Sequence, residues 1–459
     1  MAKEHDSLVP KEKQYKEVEQ STASEQLSLE DSLAALMKFG GFDIVSTTVE
    51  KGENLDPRKK ARKNILLTEK KNKKERGLLK KRLELWIDLL ENGENIPDMV
   101  SKCEAKSKSA TDLLAQNIGK ALDATEALER SYRAVDLFLK NTGQAEVRNV
   151  NFLNASKEHK TELDNNHFAN SVQNELNHNF NRLDLRRAYS LMLIPGYLGE
   201  NSVINHWAEM AHNHKVTLIT DFRHLDAPED VIDLFMDADH ASADAFKANL
   251  VMASNWLVGR EGYPEYGIED AMYVPPSAAL AGRIYESQGG MAQVVAGNKH
   301  GKMRGIDGVA FDIKKTEITQ LENLGLVPMV NEFGSVMAFS GKTLFNGDNV
   351  GLQSYSVVRV FDWVTKVLID FLNRRAFENY NMKTQKEIEK QVSKFLEGIK
   401  GNGKLIKDFS IKRLEQDSQN PDIVHVDIHI QPFFATRSFL LAMSGTKGDD
   451  GTEWKTGID

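Results

Sequence analysis

From Ala188 to Asp221 the chain alternates an apolar strand pattern, a helical pattern and a second apolar strand pattern, and this limits the fold more than any other stretch. The run Ala188 to Ile194 stops at Pro195-Gly196. Ile204, Trp207 and Met210 then recur at helical spacing, and Val216 to Thr220 is apolar again before Asp221. Strand, helix, strand predicts a parallel βαβ unit with a right-handed crossover. A second round has a helix from Pro228 to Met236 and an apolar run from Asn249 to Val258. A loop-rich region through Tyr263, Pro264, Pro275 and Pro276 then closes a middle domain.

The 459 residues allow two or three domains. With 41% hydrophobic and 27% charged residues the composition is that of a globular protein, and a net charge of −8 argues against general nucleic-acid or anionic-membrane binding. Cys103 is the single cysteine, which excludes an internal disulfide framework and a thiolate metal cluster and fits a reducing compartment. The amino terminus carries no apolar run, and nowhere do about 18 apolar residues follow one another, so neither a signal peptide nor a membrane span is expected.

The flanking regions read differently. Residues 1–57 are expected to form a flexible arm with a short helix at Leu27–Lys38, whose apolar face holds Leu29, Leu33 and Leu36, and a strand at Phe42–Val49. That strand, with Phe42, Ile44 and Val45, has no neighbouring strand to pair with, so its partner must lie far away or on another molecule. Residues 58–145 read as helical. The basic run Arg58–Arg82 has no interleaved aromatics and so reads as a solvated face. Leu79, Leu83, Trp86, Ile87 and Leu90 make one stripe; Leu113 through Leu128 to Leu139 make a longer one that could serve a core or a partner helix.

Val147–Asn154 alternates like a strand and Asn165–Asn181 reads as helical. The middle domain is expected over 146–310 and an α+β domain over 311–445, followed by a polar tail at 446–459. In the α+β domain a hairpin turns at Glu332-Phe333-Gly334, helices run from Ser354 to Ala376 and from Glu387 to Ile399, and strands are expected at Phe409–Leu414, Ile423–Ile430 and Ser438–Met443. The fold class is multidomain α+β and α/β.

Catalytic signals are thin. Gly196-x-x-Gly199 opens a helix and Asp221 ends the next strand, where a ribose-binding carboxylate would stand in a dinucleotide site. Only two of the three fingerprint glycines are present, and Glu200 would set a carboxylate beside the anion position. Ser340-Gly341-Lys342-Thr343 lacks a correctly placed first glycine for a phosphate loop. His206, His212 and His214, the group Asp237, Asp239, His240 and Asp244, and the strand face His425, Asp427 and His429 read as polar surface in preference to metal ligands. No catalytic residue, cofactor or metal is assigned. A nucleotide-binding enzyme using the Gly196 turn is the alternative reading.

Several motifs carry a family resemblance: Leu128-Glu129-Arg130-Ser131-Tyr132-Arg133, with Tyr132 where the family has Trp; Val150 to Ser156; Gln320-Leu-Glu-Asn-Leu-Gly-Leu-Val-Pro328; the helix Val358–Arg375; and Ile430-Gln431-Pro432-Phe433-Phe434. On these the chain resembles the large subunit of the type VI secretion contractile sheath, the TssC/VipB family, in a divergent branch related to phage tail sheaths. The resemblance implies a non-enzymatic subunit of the bacterial cytoplasm. It implies a helical polymer of this chain with a small sheath subunit of TssB/VipA type around an Hcp-like inner tube, on a baseplate, and recycling by a ClpV-like AAA+ ATPase. It also suggests roles: Leu29, Leu33 and Leu36 for the recycling ATPase; Phe42, Ile44 and Val45 for an inter-subunit strand; Leu83, Trp86, Leu128 and Tyr132 for the small subunit.

Overall fold

The computed structural model describes residues 68–458 other than 144–146, 148–149, 165, 287–289, 438–440 and 447–452, with the backbone alone for 441–458. The expected helix with Leu29, Leu33 and Leu36 and the expected strand with Phe42, Ile44 and Val45 lie outside the described residues. The chain divides into two compact units between Lys120 and Ala121.

In the first unit α1 (Lys73–Asn92) leads into α2 (Ile96–Asn141) through a turn at Gly93. A Cβ on Gly93 would sit 2.5 Å from Met99 Cγ and 2.7 Å from the Leu89 carbonyl oxygen, so glycine alone lets the helices approach this closely. Lys102 Nζ donates to the Asn92 carbonyl at 2.7 Å and satisfies one of the open acceptors at the end of α1. Trp86, Leu89, Val100 and Cys103 bury one another between the helices. Trp86 is 7% exposed and belongs to this core, so the chain itself covers the side chain expected to meet a partner. The reason is geometric: a helical apolar stripe looks the same in sequence whether its cover is internal or external. For Leu83 the backbone alone is described.

The second unit is built on a five-stranded sheet. After α3 (His167–Phe180), β1 (Leu191–Leu193), α4 (Asn201–Asn213), β2 (Thr217–Asp221), α5 (Pro228–Ala238) and β3 (Leu250–Ser254) repeat strand and helix. A hairpin of β4 (Leu257–Arg260) and β5 (Met272–Val274), then α6 (Ser277–Glu286) and α7 (Lys315–Asn323), precede β6 (Leu326–Glu332) and β7 (Ser335–Ala338). The order is β1-β2-β3-β6-β7, with the first four parallel and β7 antiparallel. The expected βαβ unit is therefore present. The boundary expected at 311 is not: β6 and β7, read as the start of the next domain, complete this sheet. Val147–Asn154, read as a strand, joins no strand among its described residues.

Alternation puts each strand to work on both faces. Leu218, Leu250, Met252 and Leu326 meet Ile204 and Trp207 of α4, Phe235 of α5 and Leu321 of α7. Ile219, Val251, Ala253 and Val327 meet Leu280 and Ile284 of α6 and Leu137 and Phe138 of the last turns of α2.

A third core joins α8 (Tyr355–Asn373), α9 (Met382–Ile399) and the antiparallel ribbon of β8 (Ile406–Gln416) and β9 (Val424–Pro432). Val360, Val364, Ile388, Val392 and Leu396 lie at its centre. Asp362 and Lys366 fasten α8 to the sheet. Lys366 Nζ donates to the carbonyls of Tyr189 at 2.8 Å and Lys215 at 2.7 Å, and Asn249 Nδ2 donates to Asp362 at 2.7 Å. Tyr189, Lys215 and Asn249 stand just before β1, β2 and β3. Burial lowers the Lys366 ammonium to about 8. Finally β10 (Leu441–Thr446) pairs with β11 (Glu453–Ile458), so the segment expected as a polar tail contains a strand.

Candidate functional site

In an open parallel sheet a ligand is expected outside the carboxyl ends of the strands, at a switch in strand order. Here β1, β2, β3 and β6 follow one another across the sheet without a reversal, so no such crevice opens. The chain itself occupies the position. Asp221 is fully buried; its carboxylate accepts from the Gly196 N–H at 2.8 Å, the Ser277 N–H at 2.7 Å and the Ser277 hydroxyl. Ser277 opens α6, so the carboxylate stands where an α/β enzyme holds phosphate, at a helix amino terminus. Burial raises the Asp221 carboxyl to about 7, against the pull of Ser277, Gly196 and Lys160. Thr220 Oγ1 donates to the Gly196 carbonyl at 2.9 Å.

The loop after β1 is held from its other side as well. His240 bonds Asn201 Oδ1 at 2.6 Å and the Tyr197 hydroxyl at 2.9 Å, and burial lowers its imidazole to about 4. Gly196 and Gly199 both have φ of 93° with open space at the Cβ position, so backbone conformation, and not a phosphate, asks for glycine. The dinucleotide pattern was thus a sequence shadow of an internal clasp.

Several of the other candidates are bonded within the chain. Lys342 Nζ bonds Gln353 and Thr343 Oγ1 donates to the Leu352 carbonyl, so Ser340–Thr343 pairs with its own downstream segment. His214 bonds the Met210 carbonyl and Asn177, His212 bonds Asn249, and His425 bonds Asp417 at 2.7 Å.

Exposed apolar surface tells a different story. Leu128, Tyr132, Val135 and Leu139 recur at i, i+4, i+7 and i+11 on α2 and lie open to solvent, Leu128 at 71% and Tyr132 at 69%. The opposite face of the same turns, Ala134, Leu137 and Phe138, is buried. Glu129, between the two faces, binds Arg133 at 2.8 Å and Arg260 at 3.1 Å; these cations hold its carboxyl below the usual range against the desolvation that would raise it. The stripe is therefore carried on a helix locked in rotation. Leu128 and Tyr132 come together on it, whereas Trp86 does not join it. The β8–β9 ribbon is also unfinished: apart from a bridge between Lys400 and Ile406, no further strand adjoins it among the described residues.

Comparison with known proteins decides the family. Three models match in succession: the TssC/VipB-like N-terminal region over residues 29–118, the type VI secretion system TssC/VipB central domain over 120–346, and the TssC/VipB-like C-terminal domain over 354–459. The chain belongs to the TssC/VipB family. It is a structural subunit of a contractile sheath, and the TssC/VipB central domain coincides with the end of α2 and the five-stranded sheet. A search of curated protein sequences found no match. Among solved structures, the chain is similar to a protein of the anti-feeding prophage baseplate, at 14% identity over 67% of this chain and 78% of that one, with a TM-score of 0.48. It is also similar to the contracted helical sheath of that prophage, at 15% identity over 69% and 81%, TM-score 0.48, and to a sheath tail protein of Listeria innocua, at 10% over 58% and 56%, TM-score 0.37.

Proposed function

We propose that this chain polymerises in the bacterial cytoplasm with a small TssB/VipA-like subunit around an Hcp-like inner tube, from a baseplate, and that the polymer contracts to drive the tube out of the cell. The observation that carries the reading is the run of three TssC/VipB matches along the chain. The clasped strand ends support a role without nucleotide turnover: Asp221 already fills the anion position at the start of α6. On this reading the work of contraction is stored when the sheath assembles, as a difference in packing between two arrangements of the same subunits.

The solvent-open stripe Leu128, Tyr132, Val135 and Leu139 is the proposed seat of the small subunit, through an amphipathic helix laid along it. Strand addition is the proposed link between copies: Phe42, Ile44 and Val45 supply an arm and the free edges of β8 or β9 accept it. A ClpV-like ATPase is proposed to grip Leu29, Leu33 and Leu36.

Electron microscopy of the full chain co-expressed with the products of the genes beside it tests the proposal. Long hollow tubes that need a small partner are the expected result. Discrete particles under every condition, with stabilisation by added nucleotide, would replace it with a ligand-binding function.

A further inference from the structure

The loop Arg182-Leu183-Asp184-Leu185-Arg186-Arg187 joins α3 to β1, and Leu183 at its apex is 74% exposed. Arg182, Asp184, Arg186 and Arg187 line a shallow notch of about 430 Å³, and Arg374 reaches the same Asp184 from the end of α8. Asp184 engages Arg186 and Asp370 engages Arg374 at 2.8 Å, leaving Arg182 and Arg187 without a carboxylate among the described residues. Among the described residues Arg182 bonds only the His178 ring, at 2.6 Å. The patch is a cationic rim around an apolar side chain.

Its complement lies on α5. That helix buries Pro228, Val231 and Phe235 and turns Glu229, Asp230, Asp233 and Asp237 outward, with no basic residue in its sequence. Leu234 and Met236 are exposed among them, Met236 at 62%. Glu229 and Asp230 suit the positive end of the helix dipole. Asp233 and Asp237 do not: with Glu229 they form a like-charge i, i+4, i+8 stripe that runs toward the negative end, an arrangement that weakens an isolated helix. No ion pair relieves any of the four among the described residues.

The two patches lie at opposite poles of the sheet. The arginine loop immediately precedes β1, at the amino ends of the parallel strands, whereas α5 starts just after β2, at their carboxyl ends. One copy cannot close such a pair on itself; successive copies can. We propose that Arg182, Leu183, Arg186 and Arg187 of one copy receive the acidic face of α5 of the next, with Met236 and Leu234 against Leu183. The contact is heterologous and open-ended, which is the kind that builds a helical polymer, and it rests on the polymer reading above.

Charge exchange tests it. In the full chain with its co-expressed neighbours, R182E/R187E and D233R/D237R should each reduce sedimentable tubes at least ~10-fold, and the four changes together should restore them. Both pairs are solvent-exposed, so circular dichroism and melting should match the parent. Undiminished tubes in both pairs, or no recovery in the combined variant, would overturn the contact. If the parent itself makes no tubes, the polymer reading fails separately, and an L183C/M236C chain then decides the contact alone. Cys103 is buried, so oxidation should give a ladder of multimers that neither single variant gives; no ladder would overturn the proposal.

Discussion

The parallel sheet and the C-terminal ribbon solve the same problem in opposite ways. At the carboxyl ends of β1 and β2 the chain clasps itself: Asp221 holds Gly196 and Ser277, and His240 holds Tyr197 and Asn201. The β8–β9 ribbon packs one side on α8 and α9 but, beyond the bridge between Lys400 and Ile406, leaves its strand edges open among the described residues. Unpaired edges invite another strand, and natural proteins usually block them. The sheet is therefore closed on itself, and the ribbon offers edges to which the proposed strand arm could add.

Removal of the strand arm should have the largest effect on that contrast. A chain lacking residues 42–49 should lose tubes altogether by electron microscopy while the sheet keeps its melting temperature; intact tubes would refute strand exchange. Next in size is the clasp. Asp221→Ala leaves two buried N–H groups and a hydroxyl without an acceptor and should cost about 2–4 kcal/mol in denaturant unfolding, where a ligand-site carboxylate would cost little. L128D/Y132D should reduce co-purification of the small subunit by ~30-fold without lowering stability, since both side chains are exposed. Unchanged co-purification would move the partner elsewhere.

A pH dependence follows from the same carboxyl. The folded-state pKa of Asp221 is raised to about 7, so the native state binds a proton more tightly than the unfolded chain. Its contribution to stability is then greatest below the unfolded value near 4 and falls as pH rises toward 7. Asp221→Asn should flatten that slope in pH-dependent melts; an unchanged slope would place its origin in another group.

How much of this was legible in the sequence depends on whether the deciding contact was local. The βαβ pattern was readable because apolar runs and helical spacing are local. Asn249–Val258 read as one run, yet the chain turns at Asn255, φ 65°, whose amide bonds the carbonyls of Phe311 and Met329. Asp221 was singled out for the wrong reason: Ser277, the residue that explains it, lies 56 positions away. Trp86 and Leu128 belong to similar stripes, and only tertiary packing tells that the first is buried and the second open. The ends of the chain were read as tail, yet β11 pairs with β10 through a backbone ladder that polar side chains do not advertise.

The fastening of α8 has a mechanical meaning. Tyr189, Lys215 and Asn249 each stand at the root of a different strand, and one helix grips all three through Lys366 and Asp362. A pull delivered through the ribbon and α8 is thus shared among three strands at once, and none is peeled from the edge. Helix and sheet are thereby riveted together, so a load on the helix spreads across the plate.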